Sequence, residues 1–202
     1  DMGPRSAHIA GLEYEVYTPA EKIVDPKLVA VRPMETDPEY ACIECANGVK
    51  VALTMAGAAN LAGYVREEDY AFGNAEAARK AWKPLADNMG CSVEEAARKA
   101  LAFAAAKNGK VARELMKDYG MDPQHTVFVG GGGGAATVVP HLAETMGHKF
   151  RIAQNAPVIS TIGVALAMVR DMVERSVANP TDADIISVRR EAEQKAIQNG
   201  AA

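Results

Sequence analysis

The chain has 202 residues, 49% hydrophobic and 24% charged, which is enough to bury a substantial core and predicts one globular α/β domain with a small N-terminal lobe. A net charge of −4, with no basic stripe and no interleaved aromatics and arginines, speaks against a nucleic-acid or anionic-membrane partner. Aromatic residues make up only 5%, and alanine takes their place, pointing to helices packed closely through small side chains.

The first third reads as β-rich. Ile9 to Thr18 and Leu28 to Val31 are strand candidates, separated by loops that carry Pro19, Pro26, Pro33 and Pro38. Tyr40 to Ala46 and Val49 to Met55 are joined by Asn47-Gly48, which predicts a hairpin with a type I′ turn, since both central residues of that turn need positive φ. After Gly57 to Tyr64 the pattern turns helical. Asn74 caps a helix to about Met89, ended by Gly90; Ser92 and Glu95 form a capping box for a second helix to about Tyr119, with a kink expected at Asn108-Gly109. The positions Val93, Ala96, Ala97, Ala100, Leu101 and Ala104 recur at three and four residues and mark a core stripe.

Asp122-Pro123 leads into a strand at Thr126 to Val129. A helix from Ala135 to Met146, ended by Gly147, precedes a short strand at 149–153 and a helix from about Pro157 to Val177. Asn179-Pro180 breaks the chain, and Thr181 with Asp184 caps a last polar helix to about Gln198. The expected organisation is one unit over 1–178 (β-rich 1–65, a helical pair 73–120, a glycine-loop unit 124–178) and a tail over 179–202.

Between the strand and the helix stands Gly130-Gly131-Gly132-Gly133-Gly134. Glycines let a backbone approach a ligand and supply positive φ, and the helix N-terminus behind them leaves amides free for an anion. Strand, glycine loop and helix in that order predict contact with a phosphate or nucleoside; a flexible linker or a purely structural turn is the alternative. A P-loop is excluded, because no lysine follows the glycines before Lys149. Gly130, Gly132 and Ala135 satisfy G-x-G-x-x-A, but the next strand, Lys149 to Gln154, lacks the carboxylate a dinucleotide site needs.

Other chemistry is sparse. His8, His125, His141 and His148 show no metal spacing, and no metal site is expected. Cys42 and Cys45 match C-x-x-C, but in a strand they face opposite sides, and with Cys91 they make an odd set that fits no disulfide framework. Gly3 to His8 places a cation, a hydroxyl and an imidazole, Arg5, Ser6 and His8, in one loop, which either lines a site or only orders the N-terminus. Ser160 and Thr161 offer hydroxyls to a ligand at the sheet edge of the glycine loop, or bond back within their own helix. Lys107 and Lys110 either reach a nucleotide from the long helix or, the favoured reading, belong to its solvated face. The opening Asp1-Met2-Gly3-Pro4 carries no secretory signal, and the apolar stretch Pro157 to Val169 is too short and interrupted to span a bilayer, so a cytoplasmic address is expected.

Several segments together resemble the hydantoinase/oxoprolinase family, whose ATP-binding core belongs to the actin, sugar-kinase and Hsp70 superfamily. They are Gly3 to Gly11, Ala59-Asn60-Leu61, Phe72-Gly73-Asn74, Gly120 to Pro123, Phe128 to Gly134 and Asn155 to Leu166, spanning about residues 3 to 175 in order. The resemblance implies an α/β, ribonuclease H-like (actin-like ATPase) lobe with a β-rich N-terminal part and helices packed on a mixed sheet. It implies that Gly130 to Gly134, with Ser160, contact the adenosine side of ATP or ADP carried with Mg2+, and that Arg5, Ser6 and His8 contact substrate. The implied activity is ATP-dependent hydrolysis of a cyclic amide; related members are subunits of ATP-dependent carboxylases, and more distant ones reactivate other enzymes. The family's G-G-A-G-P-L-H-A loop is here Gly131 to Thr137 without the histidine, and its D-x-G-G-T-[ST]-x-D phosphate motif does not occur. The expectation is therefore a second nucleotide lobe, inactive alone, that works with a first lobe or partner subunit and exposes edge strands prone to self-association.

Overall fold

The computed structural model describes residues 12–32, 35–36 and 39–201, so Arg5, Ser6 and His8 and the first residues of the expected N-terminal strand lie outside the described residues. The chain forms two compact units, one ending at Ile159 and one beginning at Ser160.

In the first unit, β1 (Glu13–Tyr14), β2 (Lys27–Val31), β3 (Tyr40–Glu44) and β4 (Lys50–Ala52) make a mixed sheet in the order β1-β4-β3-β2, with β1 parallel to β4 and the other pairs antiparallel. The predicted hairpin is present, with Ile43 opposite Val51, but its turn is not type I′. Gly48 alone takes positive φ (82°) and Asn47 does not; the Gly48 amide donates to Cys45 O at 2.9 Å and the Cys45 amide to Val49 O at 2.8 Å. This is the three-residue loop in which glycine supplies the left-handed bulge, so one positive φ suffices.

The first predicted strand is also cut short. After Tyr14 the chain enters a one-turn 3-10 helix, Glu15–Tyr17, which brings both Glu15 and Val16 inside. The strand expected to reach Met55 stops at Ala52, because Thr54 caps a helix: its Oγ1 accepts from Gly57 N at 3.1 Å and opens α1 (Met55–Leu61).

The two predicted central helices are α2 (Ala75–Asn88), capped by Asn74 Oδ1 accepting from Ala77 N at 3.0 Å, and α3 (Val93–Asp118), capped by Ser92 Oγ accepting from Glu95 N at 3.1 Å. α3 runs unbroken through Asn108-Gly109, where Gly109 is buried and a Cβ would meet Met146 Sδ and Leu142 Cδ1 at 3.5 and 3.7 Å. The core gathers Val16, Ile43, Val51, Leu53, Trp82 and Leu101 beneath alanine-rich helix faces.

The second sheet pairs β5 (Val127–Gly130) in parallel with β6 (Lys149–Ile152), and α4 (Ala135–Met146) makes the crossover, closed by Gly147 at φ 72°. The architecture is mixed α/β with helices packed against a mixed sheet.

The helix expected from Pro157 to Val177 is a 3-10 turn at Ala156–Val158 and α5 (Ile159–Leu166), after which regular structure ends. Val164, Leu166, Met168 and Met172 are exposed, and a helix without a buried face has little beyond propensity to sustain it. In the second unit α6 (Asp182–Gln198) carries the predicted capping box of Thr181 and Asp184 and an ion pair from Arg175 to Glu191 at 2.5 Å. Among the described residues no helix is long and apolar enough to cross a membrane.

Candidate functional site

Each glycine of the loop is accounted for differently. Gly130 ends β5, and a Cβ there would stand 3.0 Å from Ile152 Cδ1 and 3.1 Å from Ala135 Cβ, so its lack of a side chain lets strand and helix close together. Gly131 faces Ile159 in the same way, at 3.0 Å from its Cγ2. Gly132 has φ 96°; its amide donates to Ala156 O at 2.7 Å and its carbonyl accepts from Ala135 N at 3.1 Å, which turns the chain into the helix. A Cβ on Gly133 would meet the Tyr70 ring at 2.9 Å. Gly134 is the N-cap residue of α4 at φ −92°, and its carbonyl accepts from both Thr137 Oγ1 at 2.7 Å and Thr137 N at 3.0 Å.

The amides of Gly133 and Gly134 have no partner among the described residues. With the positive end of α4 behind them, they form a place where an anionic or strongly accepting atom is favoured.

Two cavities flank the loop, and both include Tyr70 and Gly133 in their walls. One, of about 230 Å³, adds Arg66, Asp69 and Asn155. The other, of about 480 Å³, adds Tyr17, Thr54, Met55 and Thr137. Tyr70 divides them, and its segment is held from below by Asn60. The Asn60 side-chain amide donates to Ala56 O at 2.8 Å and Ala71 O at 2.9 Å, and its Oδ1 accepts from Gly73 N at 3.1 Å. Gly73 in turn lies so close to Val16 that a Cβ would fall 2.5 Å from its Cγ2.

Behind the larger cavity sits Glu15, fully buried. Its Oε1 accepts from Thr54 N at 2.8 Å and Trp82 Nε1 at 2.9 Å, and its Oε2 from Thr54 Oγ1 at 3.0 Å. Burial pushes the carboxyl from 4.5 up to about 7, against the opposing pull of the bonds from Thr54 and Trp82. Neither Tyr70 nor Glu15 was singled out by sequence reasoning; the Ala59-Asn60-Leu61 segment was the nearest signal, since Asn60 positions Tyr70.

The remaining candidates have local partners. Ser160 opens the second unit on α5 and is exposed. His141 Nδ1 lies 2.9 Å from Tyr64 Oη, His125 Nδ1 is 2.6 Å from Asp122 Oδ2, and His148 packs against Phe128 at 5.0 Å between ring centroids. Cys42 and Cys45 are buried free thiols whose pKa values burial pushes up, which keeps them unreactive. Lys107 lies over the Phe103 ring at 5.2 Å.

A solved structure of nucleotide-free acetone carboxylase, from work on ATP-dependent acetone carboxylation, shares this fold with a TM-score of 0.54 and 18% identity, covering 75% of this chain. The present chain spans 24% of that one. No curated protein matches the chain. The family model for hydantoinase/oxoprolinase matches residues 2–173, which takes in the β-rich lobe, the helices and the glycine loop alike. The chain belongs to the hydantoinase/oxoprolinase family.

Proposed function

We propose that this chain is the ATP-binding part of an ATP-dependent hydrolase of cyclic amides, such as 5-oxoproline or a hydantoin, and that it does not turn over alone. The observation that carries the reading is the pair of unpartnered amides at Gly133 and Gly134, at the N-terminus of α4 and between two cavities. Gly130 to Gly134 hold the nucleotide, and Arg5, Ser6 and His8 contact the substrate. Phosphoryl transfer depends on positioning and on charge stabilisation from both sides of a cleft. Among the described residues no group of three or more His, Cys, Asp or Glu stands together as a metal site. In this reading Mg2+ arrives on the ATP phosphates and is held from a first lobe or partner subunit that bears the aspartate motif.

The likeness to acetone carboxylase favours a second reading, in which the same nucleotide site serves a subunit of an ATP-dependent carboxylase. ATP turnover by the complete assembly separates the two: dependence on a cyclic amide supports the hydrolase, dependence on bicarbonate the carboxylase.

Calorimetric titration with ADP and ATP, with and without Mg2+, tests the nucleotide reading. Gly134→Val is the companion variant, because φ at Gly134 suits a side chain and its nearest neighbour would be Thr137 Oγ1 at 3.6 Å. ADP binding that the variant loses supports the reading; absence of ADP binding refutes it. ATP hydrolysis well above blank by the chain alone refutes the claim that it needs a partner.

A further inference from the structure

The two cavities beside the glycine loop differ in chemistry. The larger one has walls of Tyr17, Tyr70, Met55 and Val138, with Thr54 and Thr137, and no charged side chain lines it. Its volume of about 480 Å³ falls within the roughly 300–1,000 Å³ of small-molecule sites, whereas the 230 Å³ of the other falls below it. The smaller one is lined by Arg66, Glu68 and Asp69, all on the short segment before Tyr70.

The hydroxyls at the back of the larger cavity are committed. Thr137 Oγ1 donates to Gly134 O, and Thr54 Oγ1 donates to Glu15 while accepting from Gly57 N. What remains for a ligand is aromatic and aliphatic surface on three sides and the open amide of Gly134 at the mouth. A phosphate finds no cation there; a flat ring with a polar edge finds surfaces to stack on. Tyr70 is the more exposed of the cavity's two exposed aromatic walls, the other being Tyr17. It is 74% exposed, and it reaches the loop only because Gly133 has no Cβ.

Building on the nucleotide reading above, we infer that the larger cavity is the pocket for the base, and that Tyr70 is the residue that stacks on it and sets the preference for a planar heteroaromatic ring. The glycine-loop amides then meet the sugar or first phosphate at the mouth, and the smaller cavity on the other side of Tyr70 takes no part in holding the base. Stacking of a base on an aromatic side chain has a well-known worth in affinity, so removing the ring weakens binding by about tenfold or more.

The test is calorimetry of the full chain with adenosine, ADP and inorganic pyrophosphate, comparing the unmodified protein with Tyr70→Ala, Tyr70→Phe and Val138→Phe. Val138→Phe fills the cavity from α4. Adenosine and ADP are expected to bind the unmodified chain, to lose about tenfold or more in Tyr70→Ala and in Val138→Phe, and to stay within about threefold in Tyr70→Phe. Pyrophosphate affinity is expected to be the same in all four proteins. Fluorescence of Trp82, the only tryptophan, shows whether each variant keeps its core. If the unmodified chain binds ADP but Tyr70→Ala and Val138→Phe bind it equally well, the base pocket is overturned and the nucleotide reading stands. If the unmodified chain binds neither adenosine nor ADP, both fall.

Discussion

The Trp82 indole nitrogen donates a hydrogen bond of 2.9 Å to Glu15 Oε1 in the centre of the core, between a 3-10 turn of the β-lobe and the first long helix, α2. Two Thr54 groups bond the same carboxylate, so three separated segments of chain meet at one buried acid. Such a group is costly to charge and costly to leave unpaired. It couples the cap of α1, and with it one wall of the larger cavity, to the packing of α2.

Stability should depend on pH through this residue. The Glu15 pKa is raised on folding from 4.5 to about 7, so the folded state holds the proton more tightly than the unfolded one. The contribution is fully present below pH 4.5 and is lost as pH rises to about 7, a difference of about 3 kcal/mol. Urea unfolding at pH 5 and pH 8 measures it. Glu15→Gln keeps the acceptor for Trp82 and should flatten this part of the profile; an unchanged difference between the two pH values would show that Glu15 is not its source.

Gly57 should tolerate no side chain. A Cβ there would sit 1.8 Å from Glu15 Oε1 and 3.0 Å from Trp82 Nε1, where the carboxylate is already pinned by its donors. Gly57→Ala is expected to cost about 3 kcal/mol or more, or to prevent folding, although alanine favours a helix by up to about 1 kcal/mol. A melting temperature equal to that of the parent would contradict the packing described.

Asn60→Ala removes three hydrogen bonds, two that tie α1 to Ala71 and Gly73 and one within the helix to Ala56 O. Net worth of about 1 kcal/mol for each bond, raised by the groups left unsatisfied, predicts a loss of about 2–4 kcal/mol. The Tyr70 segment should open first. Hydrogen exchange at Gly73 would rise before that of α2 or α3, and uniform exchange across the unit would argue against a local role for Asn60.

The glycines of the loop should respond unequally to alanine. Gly132 at φ 96° forces a side chain into a region L-residues avoid, with an expected cost of about 1–2 kcal/mol, while Gly134 at φ −92° should accept alanine at little cost. Thermal unfolding of the two variants side by side decides it, equal losses being the contrary result.

Much of the helical part was legible beforehand. Asn74, Ser92 and Thr181 cap helices as their side chains and spacing require, and Gly147 ends α4 with positive φ, because capping is settled by residues within one turn of each other. Local chemistry also placed a strand, a loop and a helix around Gly130 to Gly134. Where an element depended on distant contacts, the reading drifted. The helix expected to reach Val177 stops at Leu166 for want of a partner face, and the strand expected through Thr18 yields to a 3-10 turn once Glu15 and Val16 both turn inward.

By itself, then, the sequence determined the mixed α/β class, the capped helices, the glycine loop and membership of the hydantoinase/oxoprolinase family. All of these are written in neighbouring residues or in the order of short motifs. Only the tertiary structure decided which glycines serve packing and which leave amides free, that Tyr70 stands against Gly133, and that Glu15 finds Thr54 and Trp82. Those relationships join residues up to 67 positions apart, and burial, the force that selects them, is a property of the folded interior.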